Sequence, residues 1–127
     1  MSRISRGEVW LASLDPRQGT EPGKTRPVLI LQSQILLDTE HPSTVVLPLT
    51  TKLIDGAEPL RIRVSCSGRL RRDSDLLITQ LHAIDNRRLV AGPLTRLSPA
   101  LMTRVEEAVQ EVLGISVWMT RAAAVKN

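Results

Sequence analysis

The chain has 127 residues, 42% of them hydrophobic and 24% charged, which is typical of one globular domain with a single core. No apolar run reaches the length of a membrane span and the N-terminus has no apolar signal segment, so we expect a cytoplasmic protein. The lone Cys66 excludes an internal disulfide, and the absence of Phe and Tyr argues against an aromatic platform that stacks several bases.

The positive charge is concentrated in one stretch. The net charge is +4, and a run without any acidic residue between Pro59 and Arg72 contains Arg61, Arg63, Arg69, Arg71 and Arg72. A guanidinium offers a planar fork of donors to phosphate oxygens, so this block is typical of nucleic-acid binding. A solvated strand face and turn is the alternative interpretation, and the sequence does not separate the two.

Residues 6–14 are predicted to form the first strand, with Val9 and Leu11 on one face of it. The loop that follows, residues 15–23, contains two Pro and two Gly, which predicts irregular backbone at the surface. Pro27 biases Arg26 towards extended geometry, and the apolar run 28–31 needs a core. We therefore expect a buried strand that holds Arg26 at its rim, with the guanidinium directed into a cleft.

Residues 43–51 are predicted to form a third strand, in which Pro48 cannot donate a ladder hydrogen bond. This strand should therefore lie at an edge or bulge at its end, and either geometry would leave the hydroxyls of Thr50 and Thr51 free. Residues 60–64 alternate between apolar residues and arginines, as a half-buried strand does. Residues 75–84 are predicted to form a fifth strand. Gln80 and His82 share one face of it with Leu76 and Ile78, so this face is expected to change from core to cleft along its length. A structural role is the commoner outcome for such a histidine, and a catalytic role is the alternative.

Residues 98–114 are predicted to form the one long helix, which Ser98 caps and Gly114 ends. Apolar residues recur at helical spacing through it: Leu101, Val105, Ala108, Val109, Val112 and Leu113. We expect residues 1–115 to form a single domain, with 116–127 as a tail that extends the helix, docks on a partner or is disordered.

Five short strands with one terminal helix predict a mainly β fold, a small and strongly curved β-barrel with helical cover. The sequence has no metal-binding, nucleotide-binding or catalytic-triad motif, so we expect neither a metal nor another cofactor.

Short segments in one order, from about Arg6 to Ile115, resemble the MazF/PemK family of toxin endoribonucleases. They are Arg6-Gly7-Glu8-Val9-Trp10, Leu14-Asp15-Pro16, Gly19-Thr20-Glu21, Arg26-Pro27-Val28, Pro48-Leu49-Thr50-Thr51, Asp73-Ser74, Gln80, Ile84-Asp85, Arg88-Leu89 and the Leu-Gly end of the helix. The resemblance implies an SH3-like β-barrel of the plasmid-maintenance toxin type, a homodimer and neutralisation by a cognate antitoxin. It also implies metal-independent cleavage of single-stranded RNA at short specific sequences, for which 2′-hydroxyl attack would leave a cyclic phosphate and a 5′-hydroxyl.

The resemblance also implies roles for single residues. Arg26 matches the catalytic arginine of the family, Thr50 the catalytic threonine, and Glu21 an acidic loop residue tied to activity. Gln80 matches a substrate-contacting residue, and the further candidates for RNA contact are Thr51, His82, Lys24, Thr25, Thr20, Arg61 and Arg63. The chain departs from the family at Thr79, where an acidic residue is common, and at His82, where arginine is usual. Two routes for proton transfer stay open: a perturbed Arg26 acts as the base, or Arg26 acts only electrostatically and Glu21 or His82 moves the protons.

Two other functions are compatible with the same barrel. One is a non-enzymatic toxin that poisons DNA gyrase through its C-terminal end, where a tryptophan lies near the terminus; here Trp118 is followed by nine more residues. The other is an inactive SH3-like binding module. The segments around Arg26 and Thr50 favour the nuclease.

Overall fold

The structure, a computed structural model, describes residues 3–14 and 25–115. Within these ranges none of the helices is long and apolar enough to cross a membrane. The strands are β1 (Glu8–Ser13), β2 (Thr25–Ile30), β3 (Ser43–Thr50), β4 (Arg61–Val64), β5 (Ser74–Leu77), β6 (His82–Asp85) and β7 (Leu89–Arg96). The α-helices are α1 (Gln34–Asp38) and α2 (Pro99–Leu113), and short 3₁₀ helices span Ile78–Gln80 and Asn86–Arg88.

The strands form one curved antiparallel sheet in the order β4-β5-β3-β2-β1-β7, and β6 pairs with the first half of β3. The sheet is not closed, because its end strands β4 and β7 do not pair. The turn after β4 bridges towards β7, where the Arg69 N–H donates to the Leu94 carbonyl at 2.7 Å. The expectation of a mainly β fold with a C-terminal helix is confirmed, and an open, curved sheet takes the place of a closed barrel.

The sheet carries a hydrophobic core on each face, because side chains alternate along every strand. The first face, which we call the helix face, packs Val9, Leu29 and Leu47 against α2. The second, which we call the far face, buries Trp10, Ala12, Val28, Ile30, Val46 and Ile84. Arg26 and Thr50 continue the alternation of the far face on β2 and β3, so both belong to it.

The helix α2 begins and ends as predicted. The Ser98 hydroxyl accepts a hydrogen bond from the Leu101 N–H at 3.1 Å, and Gly114 ends the helix in the left-handed conformation with φ 73°. Met102, Val105 and Ala108 form its buried stripe. Leu113, predicted as part of that stripe, is exposed because the last turn of the helix buries no side chain.

Residues 3–14 and 25–115 contain seven strands, where the sequence predicted five. The strand predicted over residues 75–84 is divided by the 3₁₀ helix Ile78–Gln80, so the chain pairs with the end of β3 through β5 and with its beginning through β6. The strand β7 was not predicted, because Gly92 and Pro93 interrupt its pattern.

The prediction that Pro48 lies at an edge or a terminal bulge is wrong. Its strand, β3, is paired on both sides, and Pro48 is buried opposite Val28. The Val45 carbonyl accepts from Leu31 on the β2 side, so by alternation the Pro48 nitrogen faces the other side. On that side the partner of β3 changes from β6 to β5 between Val46 and Leu49, and the missing N–H therefore falls at a gap in the ladder.

Candidate active site

One residue from each of four neighbouring strands contributes to a row across the far face. Arg63 on β4 is the register partner of Asp75 on β5, and Asp75 is the partner of Thr50 on β3. The β2–β3 ladder runs from Ile30 opposite Val46 to Val28 opposite Pro48, and extending its register by two residues sets Arg26 opposite Thr50. We call Arg63, Asp75, Thr50 and Arg26 the polar row. Since neighbouring strands lie about 4.8 Å apart, this extended register places the predicted residues Arg26 and Thr50 near each other.

Arg26 is the second residue of β2, within the strand rather than ahead of it. Its backbone is fixed opposite Ala12 of β1, and the residue is half-buried. Within residues 3–14 and 25–115, the guanidinium makes no hydrogen bond or ion pair. In this part of the chain its donors are therefore available to a ligand. Thr25 is exposed at the start of the same strand.

Thr50 ends β3, and its hydroxyl is oriented by the chain that follows. The Lys52 N–H donates to the Thr50 Oγ1 at 3.2 Å. A hydroxyl has one hydrogen and two lone pairs, so this hydrogen bond occupies a lone pair and leaves the O–H free to donate. Arg26 and Thr50 can thus present donors to the same anionic group. Thr51, the next residue, is exposed.

Asp75 is the member of the polar row that sequence reasoning missed. Its residue is 1% exposed, and both carboxylate oxygens are bonded. Oδ1 accepts from Arg63 Nε, and Oδ2 accepts from Arg61 Nη1 at 3.2 Å and from the Ile54 N–H at 2.9 Å. Burial raises the pKa of Asp75, but these hydrogen bonds outweigh it, and the pKa lies below its ordinary value. The sequence did contain a signal for it. Asp75 begins a predicted strand, and in the predicted strand that precedes it two arginines alternate with apolar residues.

Arg61 and Arg63 were predicted to contact RNA, but the structure gives them internal partners. Both are half-buried and bind Asp75, and each has a second acceptor. Arg61 donates to the Lys52 carbonyl at 2.8 Å, and Arg63 binds Asp55 at 2.8 Å. The hydrogen bonds to Asp75 and then to Asp55 raise the pKa of Arg63. The acids that balance these arginines lie outside the basic block in sequence, which is why the block looked uncompensated.

The rest of the basic block is exposed. Arg69 donates to the Pro93 carbonyl at 2.9 Å. Arg71 and Arg72 have no ion pair or side-chain hydrogen bond within the described residues. Among the described residues Arg69 has no ion pair either, so all three arginines carry a positive charge that no acid balances.

Gln80 and His82 lie in the segment that passes the first half of β3, and not beside Thr50 at its end. His82 is the register partner of Val46, four residues before Thr50, which corresponds to about 13 Å along the strand. The His82 Nδ1 lies 2.7 Å from the Gln80 carbonyl, which can only accept, so Nδ1 carries the proton and Nε2 is the acceptor of the neutral ring. Thr79, Gln80 and His82 are all exposed. These three residues are therefore accessible to solvent and separate from Thr50.

Several predicted residues lie outside the part of the chain that the structure describes: Glu21, Lys24, Thr20 and the tail 116–127. A cleft of about 620 Å³ lies where β7 leads into α2, and Arg6, Arg96 and Glu106 are among the residues that line it. None of the predicted site residues lines it. A smaller cleft of about 170 Å³ adjoins Asp75, Arg61 and Arg63.

Comparison of the sequence with known proteins identifies the family of this chain. A sequence model described as "PemK-like, MazF-like toxin of type II toxin-antitoxin system" matches residues 5–113. The chain is 32% identical over 113 residues to endoribonuclease EndoA of Bacillus subtilis (strain 168), a match that covers 88% of this chain and 96% of EndoA.

Solved structures share the fold at lower identity. A mycobacterial endoribonuclease in complex with its cognate antitoxin is 20% identical with a TM-score of 0.68, covering 91% of this chain and 97% of that one. Toxin MazF-mt6 of Mycobacterium tuberculosis is 21% identical with a TM-score of 0.70, covering 86% and 98%. The MazE-MazF structure (Form-II) from Deinococcus radiodurans is 19% identical with a TM-score of 0.73, covering 91% and 100%.

Proposed function

Because this chain belongs to the family of PemK-like, MazF-like toxins of type II toxin–antitoxin systems, we propose that it is a toxin endoribonuclease that a cognate antitoxin neutralises. Its substrate is single-stranded RNA, cleaved at a short specific sequence. The endoribonuclease EndoA supports the activity, and the mycobacterial endoribonuclease with its cognate antitoxin supports the partner. Within this chain, the proposal is supported by the β2–β3 register, which sets Arg26 opposite Thr50 when it is extended past Val28 and Pro48.

The proposed reaction is attack of a ribose 2′-hydroxyl on the adjacent phosphorus. A new oxygen–phosphorus bond closes a cyclic phosphate as the 2′-hydroxyl loses its proton, and the bond to the next nucleotide breaks as its 5′ oxygen gains a proton and becomes a 5′-hydroxyl. The nucleophile is already part of the substrate, so the protein has to align it and stabilise charge on the phosphoryl oxygens. Arg26 donates to two of these oxygens as a planar fork, and the Thr50 O–H donates to one of them. The reaction so written uses no metal or other cofactor.

Proton transfer requires a further group, because arginine holds its proton and cannot act as the base. The Nε2 of His82 can accept a proton, but His82 lies about 13 Å along β3 from Thr50. We assign His82 and Gln80 to the nucleotides that flank the cleaved bond. Glu21, in the sequence just before Arg26, is the candidate that remains for the proton.

The RNA track extends beyond one subunit in this proposal. A chain of 127 residues offers little surface for several nucleotides, so a homodimer with the groove across its interface would lengthen the track. The exposed Arg71 and Arg72 would add phosphate affinity. Residues 1–115 would form the whole toxin domain, with 116–127 as a tail.

The test is incubation of the purified protein with a long single-stranded RNA in EDTA and, separately, in Mg²⁺. The expected result is the same set of discrete fragments in both buffers. Fragments should accept a 5′ label from polynucleotide kinase without prior phosphatase treatment, because their 5′ ends are free hydroxyls. No cleavage in either buffer would overturn the proposal. Inhibition of DNA gyrase supercoiling instead would support the non-enzymatic toxin, and neither effect would support the binding module.

A further inference from the structure

The loop after Thr50 is tied to the sheet and to α2 at several points. The Ile54 N–H donates to the buried Asp75, and Arg61 donates to the Lys52 carbonyl at 2.8 Å. Near the end of the loop, Glu58 forms an ion pair with Arg104 of α2 at 2.6 Å. The loop between β3 and β4 is thus held by hydrogen bonds and an ion pair that involve side chains.

One of these ties leads to the Thr50 hydroxyl through consecutive hydrogen bonds. Asp75 Oδ2 holds the Arg61 guanidinium, and Arg61 holds the Lys52 carbonyl. The N–H of the same residue, Lys52, donates to Thr50 Oγ1. Because this N–H occupies a lone pair of Oγ1, the orientation of Lys52 determines where the Thr50 O–H can point.

We propose that Asp75 is a positioning residue for RNA cleavage, which acts through Arg61 and Lys52 to aim the Thr50 hydroxyl at the phosphate. This inference rests on the proposed function and adds residues to its site. The Arg61 side chain donates both to Asp75 and to the Lys52 backbone, and the Lys52 backbone donates to the Thr50 side chain. The effect therefore depends on geometry and not on charge delivered to the substrate.

Direct contact of Asp75 with RNA is a poorer explanation of the same arrangement. The carboxylate is 1% exposed and both of its oxygens are bonded, so a substrate does not reach it. The charges around it also cancel: the small cleft is lined by Arg61, Arg63 and Arg104 and by the equal number of acids Asp55, Glu58 and Asp75. A cleft with balanced charge attracts a phosphate weakly.

The experiment is a double-mutant cycle between Arg61→Gln and Thr50→Ala. Cleavage of an RNA oligonucleotide that contains the identified site is measured under single turnover, with enzyme in excess. Binding is measured with the same oligonucleotide carrying a 2′-O-methyl group at the cleaved nucleotide, which blocks the reaction. Circular dichroism confirms that each variant is folded, and Arg61→Lys, which keeps the charge, stands in if Arg61→Gln is not folded.

We expect Arg61→Gln to lower the rate constant at least tenfold, with Kd changed less than threefold. In the Thr50→Ala background, the same substitution should have less than a twofold effect, because the hydroxyl on which it acts is absent. The matched control is Arg104→Gln, which releases the same loop from α2 and should leave the rate within twofold of the wild type. Asp75→Asn should reproduce the reduced rate seen with Arg61→Gln.

An equal reduction by Arg61→Gln in both backgrounds would overturn the inference, because Arg61 would then act independently of Thr50. So would an increase in Kd that matches the decrease in rate, since Arg61 would then bind RNA. In both of these cases the wild type still cleaves and the proposed function stands. A wild type that cleaves no RNA would overturn the proposed function and this inference with it.

Discussion

Thr50 and Asp75 are direct register partners on β3 and β5, so the hydroxyl assigned to catalysis lies next to a buried carboxylate. That carboxylate is also the centre of the ion pairs with Arg61 and Arg63. A substitution of Asp75 is therefore expected to change the stability of the fold and, under the proposed function, the rate of RNA cleavage.

The first prediction concerns Asp75 and pH. The pKa of Asp75 is lower in the folded protein, so its stabilising effect is present above its unfolded pKa of about 3.9 and is lost as the pH falls through the lower folded value. Asp75→Asn breaks a buried pair and should reduce the free energy of unfolding at pH 7 by about 3 kcal/mol. Urea unfolding at pH 7, 5, 4 and 3 should show the difference from wild type shrinking below pH 4.

Asp85→Asn is the control for this prediction. Its hydrogen bonds with Arg87 lower the pKa of Asp85 to about 2, yet Arg87 is largely exposed and the pair should contribute little to stability. If the free energies of unfolding of Asp75→Asn and wild type differed by the same amount at every pH, ionisation of Asp75 would not be the source of its stabilising effect.

The second prediction separates the arginines of the basic block. Replacing Arg71 and Arg72 with Gln should reduce the slope of log K against log salt for RNA binding by about 1.4, because each phosphate of a single strand that is no longer neutralised lowers the slope by about 0.7. The cleaved sequence should not change, because arginines that bind phosphates carry no sequence information.

The control with the same change of net charge replaces Arg3 and Arg87, which are exposed and ion-paired with Asp38 and Asp85. An equal decrease of slope in this control would show that only the total charge matters. A shift in the cleaved sequence would show that Arg71 or Arg72 reads bases.

Local sequence signals predicted some elements well for physical reasons. The helix α2 was predicted because its cap, its apolar spacing and its terminal glycine all act within a few residues. Arg26 and Thr50 were identified by resemblance, and their adjacency then follows from the β2–β3 register.

Other features depend on the pairing of residues distant in sequence. Arg61 and Asp75 are 14 positions apart, and their pairing depends on how β4 and β5 align. The strand β7 contains Gly92 and Pro93, both of which oppose strand formation locally, and tertiary packing on β1 overrides that preference.

The third prediction concerns Gly92. A Cβ at this position would meet the buried indole of Trp10, with Cγ at 2.7 Å and Cε3 at 2.8 Å. Gly92→Ala should therefore destabilise the fold by about 1–3 kcal/mol through overpacking, measured by urea unfolding. Gly56→Ala is the contrasting case, because φ is 66° there and no atom lies within 4 Å, so only backbone strain is added. Unchanged stability of Gly92→Ala would show that the indole moves freely.

The fourth prediction concerns Arg26. Arg26→Ala should lower RNA cleavage by at least about 10²-fold, the scale seen when a donor to a charged transition state is removed. Arg26→Lys should recover part of that activity, because an ammonium keeps the charge without the planar fork. The free energy of unfolding should change little, since the guanidinium has no partner in the described part of the chain. Cleavage assays with and without EDTA measure the effect, and wild-type activity in Arg26→Ala would contradict it.

The last prediction concerns assembly. We expect a homodimer whose RNA groove crosses the subunit interface, and an antitoxin that blocks the same groove with an acidic, partly disordered segment. A groove lined by cations such as Arg26 selects an acidic inhibitor that folds on binding.

Light scattering at micromolar concentration should give a mass near 28 kDa, which is twice the 14.0 kDa of one chain. A monomer with full nuclease activity would refute the dimer. The claim about the antitoxin is tested separately. An acidic peptide from the antitoxin should inhibit cleavage, and the inhibition should weaken as salt screens the charges. A charge-swapped peptide of the same length is the control. If it inhibits equally well, electrostatic attraction does not select the antitoxin, and the shape of the groove must do so instead.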